Sequence, residues 1–271
     1  FNFINPKIGL NYIFSNKQQA YFSAAIAQKE PGRNDFRDAD FNKIPLPELL
    51  VDYELGYSYS MQNYLIRANA FYMDYTNQLV MTGKVNNVGA PIMTNVDKSY
   101  RAGVELVFGT IITKWLSWNA NLTLSQNKIK NYTEFVDNWD TWSQDSTQLG
   151  TTDIAYSPNV VAASQFQLKP IKNVEIFINT KYVGKQYIDN SSNDYNSIDA
   201  YTTTDLMFRY TMKNKWIKLV GINFSINNIF NAQYASNAWV YSYNSAGERG
   251  VIDGYFPQAG INFMLGLDLK F

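Results

Sequence analysis

Residues 261–271 read INFMLGLDLKF. Ile261, Phe263, Leu265, Leu267, Leu269 and Phe271 are apolar at every second position, with Asn262, Gly266, Asp268 and Lys270 between them. A strict period of two describes a strand with one apolar and one polar face. The pattern recurs upstream. In LVDYELGYSYS (50–60), Val51, Tyr53, Leu55, Tyr57 and Tyr59 oppose Asp52, Glu54, Gly56, Ser58 and Ser60. In WLSWNANLTLSQN (115–127), Leu116, Trp118, Ala120, Leu122 and Leu124 oppose Ser117, Asn119, Asn121, Thr123 and Ser125. In LVGINFSINN (219–228), Val220, Ile222, Phe224 and Ile226 oppose Asn223, Ser225 and Asn227. Weaker versions near 6–14, 18–28, 63–74, 98–109, 158–169, 173–185 and 199–211 bring the expectation to eleven strands, with no amphipathic helix of useful length between them.

These strands are expected to run about 10–13 residues, longer than the globular average of about 5–6 and close to the roughly 9–11 that a tilted strand needs to cross a bilayer. Proline is nearly absent from their interiors, as it is where every N–H must join a ladder. Short polar turns at 15–18, 60–63, 110–113, 169–173 and 211–215 alternate with long connections near 29–48, 75–96, 129–157, 186–198 and 229–256. Short turns on one side and long loops on the other describe an antiparallel outer-membrane barrel.

Composition narrows the function classes. The formal net charge of the 271 residues is zero, which gives no electrostatic footprint for nucleic acid. There is no Cys and no His, so disulfides, Cys/His zinc sites and catalysis by imidazole or thiolate are excluded from these residues. No stretch approaches the roughly 18–20 apolar residues of a spanning helix. The chain opens at Phe1 in extended-looking sequence without a signal peptide, and is expected to start downstream of a native N-terminus.

Alternation alone leaves open whether the apolar face meets lipid or the core of a soluble sandwich or lipocalin-like barrel. Aromatic placement favours lipid. Near the short-turn ends the apolar face is expected to carry Tyr12, Phe14, Tyr21, Tyr57, Tyr59, Tyr64, Phe108, Trp118, Tyr210, Trp216 and Phe271, a belt suited to a membrane interface. Tyr57, Tyr59, Tyr64, Trp118, Tyr210 and Trp216 are its clearest members. The opposite face carries six acids (Asp52, Glu54, Glu105, Glu175, Asp205, Asp268) and six bases (Lys7, Arg67, Arg101, Lys181, Arg209, Lys270), which a wide lumen accommodates. Lys218 falls on the apolar face near the short-turn rim, where its stem can snorkel. Gly9, Gly56, Gly103, Gly221 and Gly266 all fall on the polar face, for strand bending or for close approach of something filling the lumen.

Several segments together resemble the C-terminal half of a TonB-dependent receptor barrel of the type common in Bacteroidetes-like outer membranes. They are AAIAQKEPGRNDF (24–36), PELLVDYELGY (47–57), NVDKSYRAGVELVFG (95–109), SPNVVAASQF (157–166), KYVGKQYIDN (181–190), INFSINNIFNAQY (222–234) and the terminal FMLGLDLKF. The resemblance spans the whole chain. It implies an all-β antiparallel transmembrane barrel of about 22 strands, of which residues 1–271 supply the last eleven, with a plug and the first half of the wall expected upstream. It also implies that Phe263, Leu265, Leu267, Leu269 and Phe271 form the terminal signal read by the outer-membrane assembly machinery.

The same resemblance implies an outer-membrane receptor of a Gram-negative bacterium that needs no cofactor. It would import an extracellular ligand, an iron chelate first, with energy from TonB. Outer-membrane lipids and a surface lipoprotein are further implied partners. Two other classes stay open: a passive porin-like channel and a soluble β-rich carbohydrate-binding module. Candidate ligand contacts lie on the long loops. RNDFRDAD (33–40) clusters Arg33, Asp35, Arg37, Asp38 and Asp40, either self-paired or facing a cation or basic ligand. DNWDTWSQD (137–145) offers Trp139 and Trp142, and AWVYSYN (238–244) offers Trp239, Tyr241 and Tyr243. Such rings stack on sugars or chelate rings, or else pack their own loops. DNSSNDYN (189–196) faintly resembles a calcium loop but lacks its Gly and terminal Glu.

Overall fold

The computed structural model describes residues 1–39, 44–85, 91–212 and 218–270. In chain order the strands are β1 (Lys7–Ser15), β2 (Gln18–Lys29), β3 (Glu48–Ser60), β4 (Tyr64–Val85), β5 (Pro91–Thr113), β6 (Leu116–Asn138), β7 (Ser143–Asp153), β8 (Val160–Leu168), β9 (Val174–Val183), β10 (Gln186–Tyr187), β11 (Ser197–Ile198), β12 (Tyr201–Met212), β13 (Leu219–Asn227), β14 (Ala235–Ser245), β15 (Glu248–Pro257) and β16 (Asn262–Lys270). One six-residue helix, α1 (Arg33–Asp38), follows β2.

The wall is a meander in the order β1-β2-β3-β4-β5-β6-β8-β9-β12-β13-β16, each strand antiparallel to the next. These are the eleven strands that the period-two pattern predicts. β1 and β16 each keep one edge unpaired, so the sheet does not close on itself. The remaining strands belong to the long loops. β7 and the β14–β15 ribbon extend β6, and β10 pairs only with β11.

Strand length departs from expectation. β4, β5 and β6 run 22, 23 and 23 residues rather than about 10–13. At about 3.3 Å per residue such a strand reaches roughly 70 Å, far beyond an apolar band about 25 Å tall. The segments read as loops near 75–96 and 129–157 continue the ladder, for example Gln78↔Val96 and Val136↔Asp145. Above the membrane neither face has lipid as its solvent, so period two fades although the hydrogen bonds persist.

Register settles the faces. Trp118, Phe166, Ile178, Leu206, Ile226 and Phe263 are successive cross-strand partners on one face. Asn119, Gln165, Asn179 and Asp205 are successive partners on the other. Among the described residues no second layer packs on the apolar side: Leu10 is 70% exposed and Leu265 73%. A sandwich or lipocalin-like core would bury these side chains, which costs the soluble reading its basis. The buried apolar clusters lie instead in the loops, one of Val80, Ile129, Tyr132 and Ile154 and another of Ile188, Ile198 and Ala238.

Register also corrects one aromatic. Tyr21 pairs with Asn11 and Gly56 and so lies on the polar face, not in the belt. Its O–H donates to Asn69 Oδ1 at 2.9 Å. Its ring lies so close over Gly56 that a Cβ there would sit 2.0 Å from it, and at Gly103 a Cβ would meet the Leu124 carbonyl oxygen at 2.4 Å and the Phe71 ring at 2.7 Å. The space at these two glycines is filled by neighbouring strands rather than by anything in the lumen.

Candidate functional site in the loop canopy

The long loops fold into a canopy at one end of the wall. The β6–β7 hairpin rises from the sheet, and the β14–β15 ribbon returns from the far side of the chain to meet it. β14 pairs in parallel with the tip of β6, Tyr243↔Asp137 and Asn244↔Asn138. The ribbon turns through Ala246 and Gly247, both at positive φ (54° and 76°), the two-residue turn whose twist suits a hairpin. Both amide N–H groups of that turn donate to Asp140, at 2.9 and 3.2 Å. Arg249 grips Glu134 through two bonds of 3.0 and 2.6 Å. Asn138 and Asn244 both donate to Asp145 Oδ2, at 2.9 and 2.6 Å.

Three of the loop aromatics named from sequence meet here. The Trp139 ring stacks on Tyr243 with centroids 4.0 Å apart and planes 9° from parallel. Trp139 Nε1–H donates to the Tyr241 hydroxyl at 3.3 Å, and that hydroxyl donates to Asp137 Oδ2 at 2.9 Å. Asn138 organises the approach: its Oδ1 accepts the N–H groups of Asp140 and Thr141. Trp239 stands on the same ribbon face two residues before Tyr241, its indole lying across Gly254. Trp142, at positive φ, projects from the hairpin tip and is 90% exposed, outside the stack.

Arg33, Asp35 and Arg37 are on α1, beside β5. Asp35 Oδ2 accepts the Gly32 N–H at 2.7 Å, and Arg37 pairs with the neighbouring Asp38 at 2.7 Å. Arg33 has no ion-pair partner among the described residues. Asp40 lies outside the described residues, as do the belt residue Trp216 and the terminal Phe271.

Of the interface aromatics, Tyr59 and Tyr64 sit with centroids 5.8 Å apart, and Trp118 stacks on Phe166 at 5.7 Å. Tyr57 contacts Phe14 at 6.5 Å, and Tyr210 is exposed beside Ile222. Phe263, Leu265, Leu267 and Leu269 pair across to Ile226, Phe224, Ile222 and Val220 of β13 and stay exposed.

Sequence reasoning missed the residues that hold the canopy together. Asn190, 1% exposed, accepts the Ala155 N–H at 2.8 Å and donates to the Met81 carbonyl at 2.8 Å, tying three loops. The Tyr156 hydroxyl donates to the Ala238 carbonyl beneath the ribbon. Burial, with Asp189 and Glu134 nearby, pushes the Tyr132 phenol up to about 12. Asp189 spends its oxygens within its loop, on Ser191 N–H and O–H (2.9 and 2.6 Å) and on Asn196 Nδ2 (2.6 Å). No group of three or more acidic side chains poised for a metal occurs among the described residues.

The lumen face below the canopy is a polar network. Gln167 donates to Glu175 at 3.0 Å, which pairs with Lys169 at 3.2 Å and with Arg209 at 3.8 Å. Arg209 donates to Asn223, and Asn223 to Asp268 at 2.6 Å. Asp52 Oδ1 is buried on this face without a hydrogen-bond donor.

A long antiparallel wall, bare on its apolar side and wet on the other, under interlocked loops, is the architecture of a receptor barrel. Residues 1–229 match the family described as TonB dependent receptor-like, beta-barrel, and the chain belongs to that family. No curated protein sequence matches. Among solved structures the chain is similar to the siderophore receptor PiuA from Acinetobacter baumannii (TM-score 0.72, 17% identity, covering 98% of this chain and 35% of that one). It is also similar to the ferric-catecholate import receptor Fiu from E. coli K12 in its closed form (0.68, 18%, 98% and 34%). A third is the copper transporter OprC (0.69, 14%, 98% and 39%). At these identities the likeness concerns the fold, and the chain spans little more than a third of each of those structures.

Proposed function

We propose that the chain is the C-terminal part of the wall and vestibule of an outer-membrane uptake receptor in a Gram-negative bacterium. The receptor imports an extracellular ligand into the periplasm with energy delivered by TonB. The observation that carries this reading is the family match over residues 1–229 on a wall whose polar face carries charges of both signs, six acidic and six basic. Such a face suits a plug docked through polar contacts better than an open pore selecting one ion sign. The two unpaired edges support a further set of strands completing a wall of about 22, with the plug and the TonB-contacting segment on upstream sequence.

An iron chelate is the first cargo to test, since PiuA and Fiu are by name a siderophore receptor and a ferric-catecholate importer. Trp139, Tyr241 and Tyr243 would present ring faces to a planar ligand, with Trp142, Trp239, Arg33, Asp35 and Arg37 as outlying contacts. Phe263, Leu265, Leu267 and Leu269 of β16, with Phe271 of the sequence, are the proposed signal for outer-membrane assembly, and a surface lipoprotein is a proposed partner over the loops. Uptake of labelled ferric siderophores by cells expressing the full-length receptor, with and without TonB, tests the reading. Uptake that requires both is expected; uptake indifferent to TonB overturns the energy coupling.

A further inference from the structure

Charge is distributed unevenly along the wall. At the loop end the cations are largely neutralised by loop carboxylates: Lys29–Glu48 at 3.6 Å, Lys98–Asp74 at 3.4 Å, Lys128–Asp153 at 2.7 Å and Arg249–Glu134 at 2.6 Å. The short-turn end is different. Lys17 lies in the β1–β2 turn, Lys114 in the β5–β6 turn, Lys172 in the β8–β9 turn and Lys218 just before β13. All four are exposed, and none has an ion-pair partner among the described residues. Glu175 and Asp268 are the carboxylates nearest these turns among the described residues, and both are already engaged, Glu175 by Lys169, Arg209 and Gln167 and Asp268 by Asn223.

The spacing of these lysines matters as much as their sign. They stand on four of the five short connections across the sheet, the β3–β4 turn carrying none, so they form a row along the rim rather than a cluster around a point. Directly above lie the exposed rings of Tyr57, Tyr64 and Tyr210, and Trp115 and Ile171 stand exposed beside Lys114 and Lys172. Amphipathic rings with long cationic stems at one height match the level of a bilayer where hydrocarbon gives way to headgroups. A row of unneutralised ammonium groups there complements a plane of anionic phosphates.

We propose that this rim is a contact surface for anionic phospholipid headgroups of the periplasm-facing leaflet, with Lys17, Lys114, Lys172 and Lys218 as the binding residues. The inference rests on the outer-membrane placement of the wall and is independent of cargo. The rim holds a shell of anionic lipid and sets the height of the barrel in the membrane. Loop-end cations do not share the role, because they stand at the opposite end of the wall from the periplasm-facing leaflet.

The test uses the full-length receptor in nanodiscs of phosphatidylethanolamine with a rising fraction of phosphatidylglycerol, with co-retained lipid counted by native mass spectrometry. The natural protein is expected to retain phosphatidylglycerol above its bulk fraction. Each Lys→Gln substitution at the four positions should lower that enrichment about fivefold at low salt, the equivalent of roughly 1 kcal/mol per lysine. Raising the ionic strength should compress the differences. The matching Lys→Arg set should keep the enrichment, and it preserves the test if the Gln set assembles poorly. Lys130→Gln in the canopy should leave the enrichment unchanged. Absence of enrichment in the natural protein, or enrichment that survives all four Gln substitutions, overturns the proposal. So does tighter binding of soluble poly-glutamate than of phosphatidylglycerol vesicles, which would assign the rim to an acidic periplasmic protein. Siderophore uptake unchanged in the Gln set would separate this surface from the transport reading.

Discussion

The two halves of β6 lie in different solvents. From Leu116 to Gln126 its apolar side chains touch neighbours on adjacent strands, as Trp118 does Phe166, but have no second layer of described residues over them, and Leu124 is 46% exposed. From Asn127 to Asn138 the same strand carries Ile129, fully buried, and Tyr132 and Val136, nearly so. Backbone pairing continues across the boundary. The change is in what stabilises the side chains. In the wall the apolar face gains from hydrocarbon, whereas in the canopy it gains from other loops packed against it. A substitution should therefore damage one half or the other, and the readouts should separate.

The largest effect is expected at Ile129→Ala, about 2–5 kcal/mol for emptying a fully buried site. It should appear as faster hydrogen exchange and protease cleavage in β14–β15, with membrane insertion intact. Loss of insertion would mean that canopy and wall fold as one unit. Next, Leu122→Arg or Phe224→Arg on the lipid face should cost roughly 2–4 kcal/mol and reduce the folded outer-membrane fraction, measured by heat-modifiable mobility. Asn121→Arg, one residue away on the lumen face, should be tolerated, and equal damage from both would erase the distinction between faces.

Gly56→Ala drives a methyl group into the Tyr21 ring and should cost about 1–3 kcal/mol, visible as a lowered unfolding temperature in detergent. Pairing it with Tyr21→Ala should recover much of the loss. The canopy should also loosen in alkali. A Tyr132 phenol raised to about 12 when folded, against about 10 unfolded, favours the neutral folded form. That stability is complete below pH 10 and is lost as pH climbs toward 12, because the unfolded chain releases its proton first. Tyr132→Phe should reduce this loss of canopy protection, read as exchange relative to the intrinsic base-catalysed rate at each pH, while the protection factors of the wall stay constant over the same window. The smallest effect is expected at Trp139→Ala, about 0.5–1.5 kcal/mol for a lost aromatic pair, read as weaker ligand binding with the barrel folded.

Legibility in the sequence follows the same boundary. INFMLGLDLKF and WLSWNANLTLSQN announce their strands because lipid imposes a strict rule on every second side chain. QQAYFSAAIAQK in β2 is ambiguous, since Ala20, Phe22 and Ala24 on one face alternate with Tyr21 and Ala25 on the other. Only the register against Gly56 and Asn69 places Tyr21 in the lumen. Above the membrane, KNYTEFVDN buries Tyr132 and Val136 and exposes Phe135, and no simple period describes it. The loop aromatics were legible as residue types. Their assembly was not, because Glu134 and Arg249, or Trp139 and Tyr243, are a hundred or so residues apart and no local pattern links them.

By itself the sequence determined the eleven wall strands, the apolar and polar faces of those with strict alternation (β2 excepted) and the alternation of short and long connections, because a bilayer and a backbone ladder act on each strand independently of its neighbours. Tertiary structure alone decided how far β4, β5 and β6 continue, which glycines receive a neighbour's ring, and which loops interlock above the wall. Those outcomes depend on cross-strand register and on contacts between distant segments, and neither is encoded in any one stretch of chain.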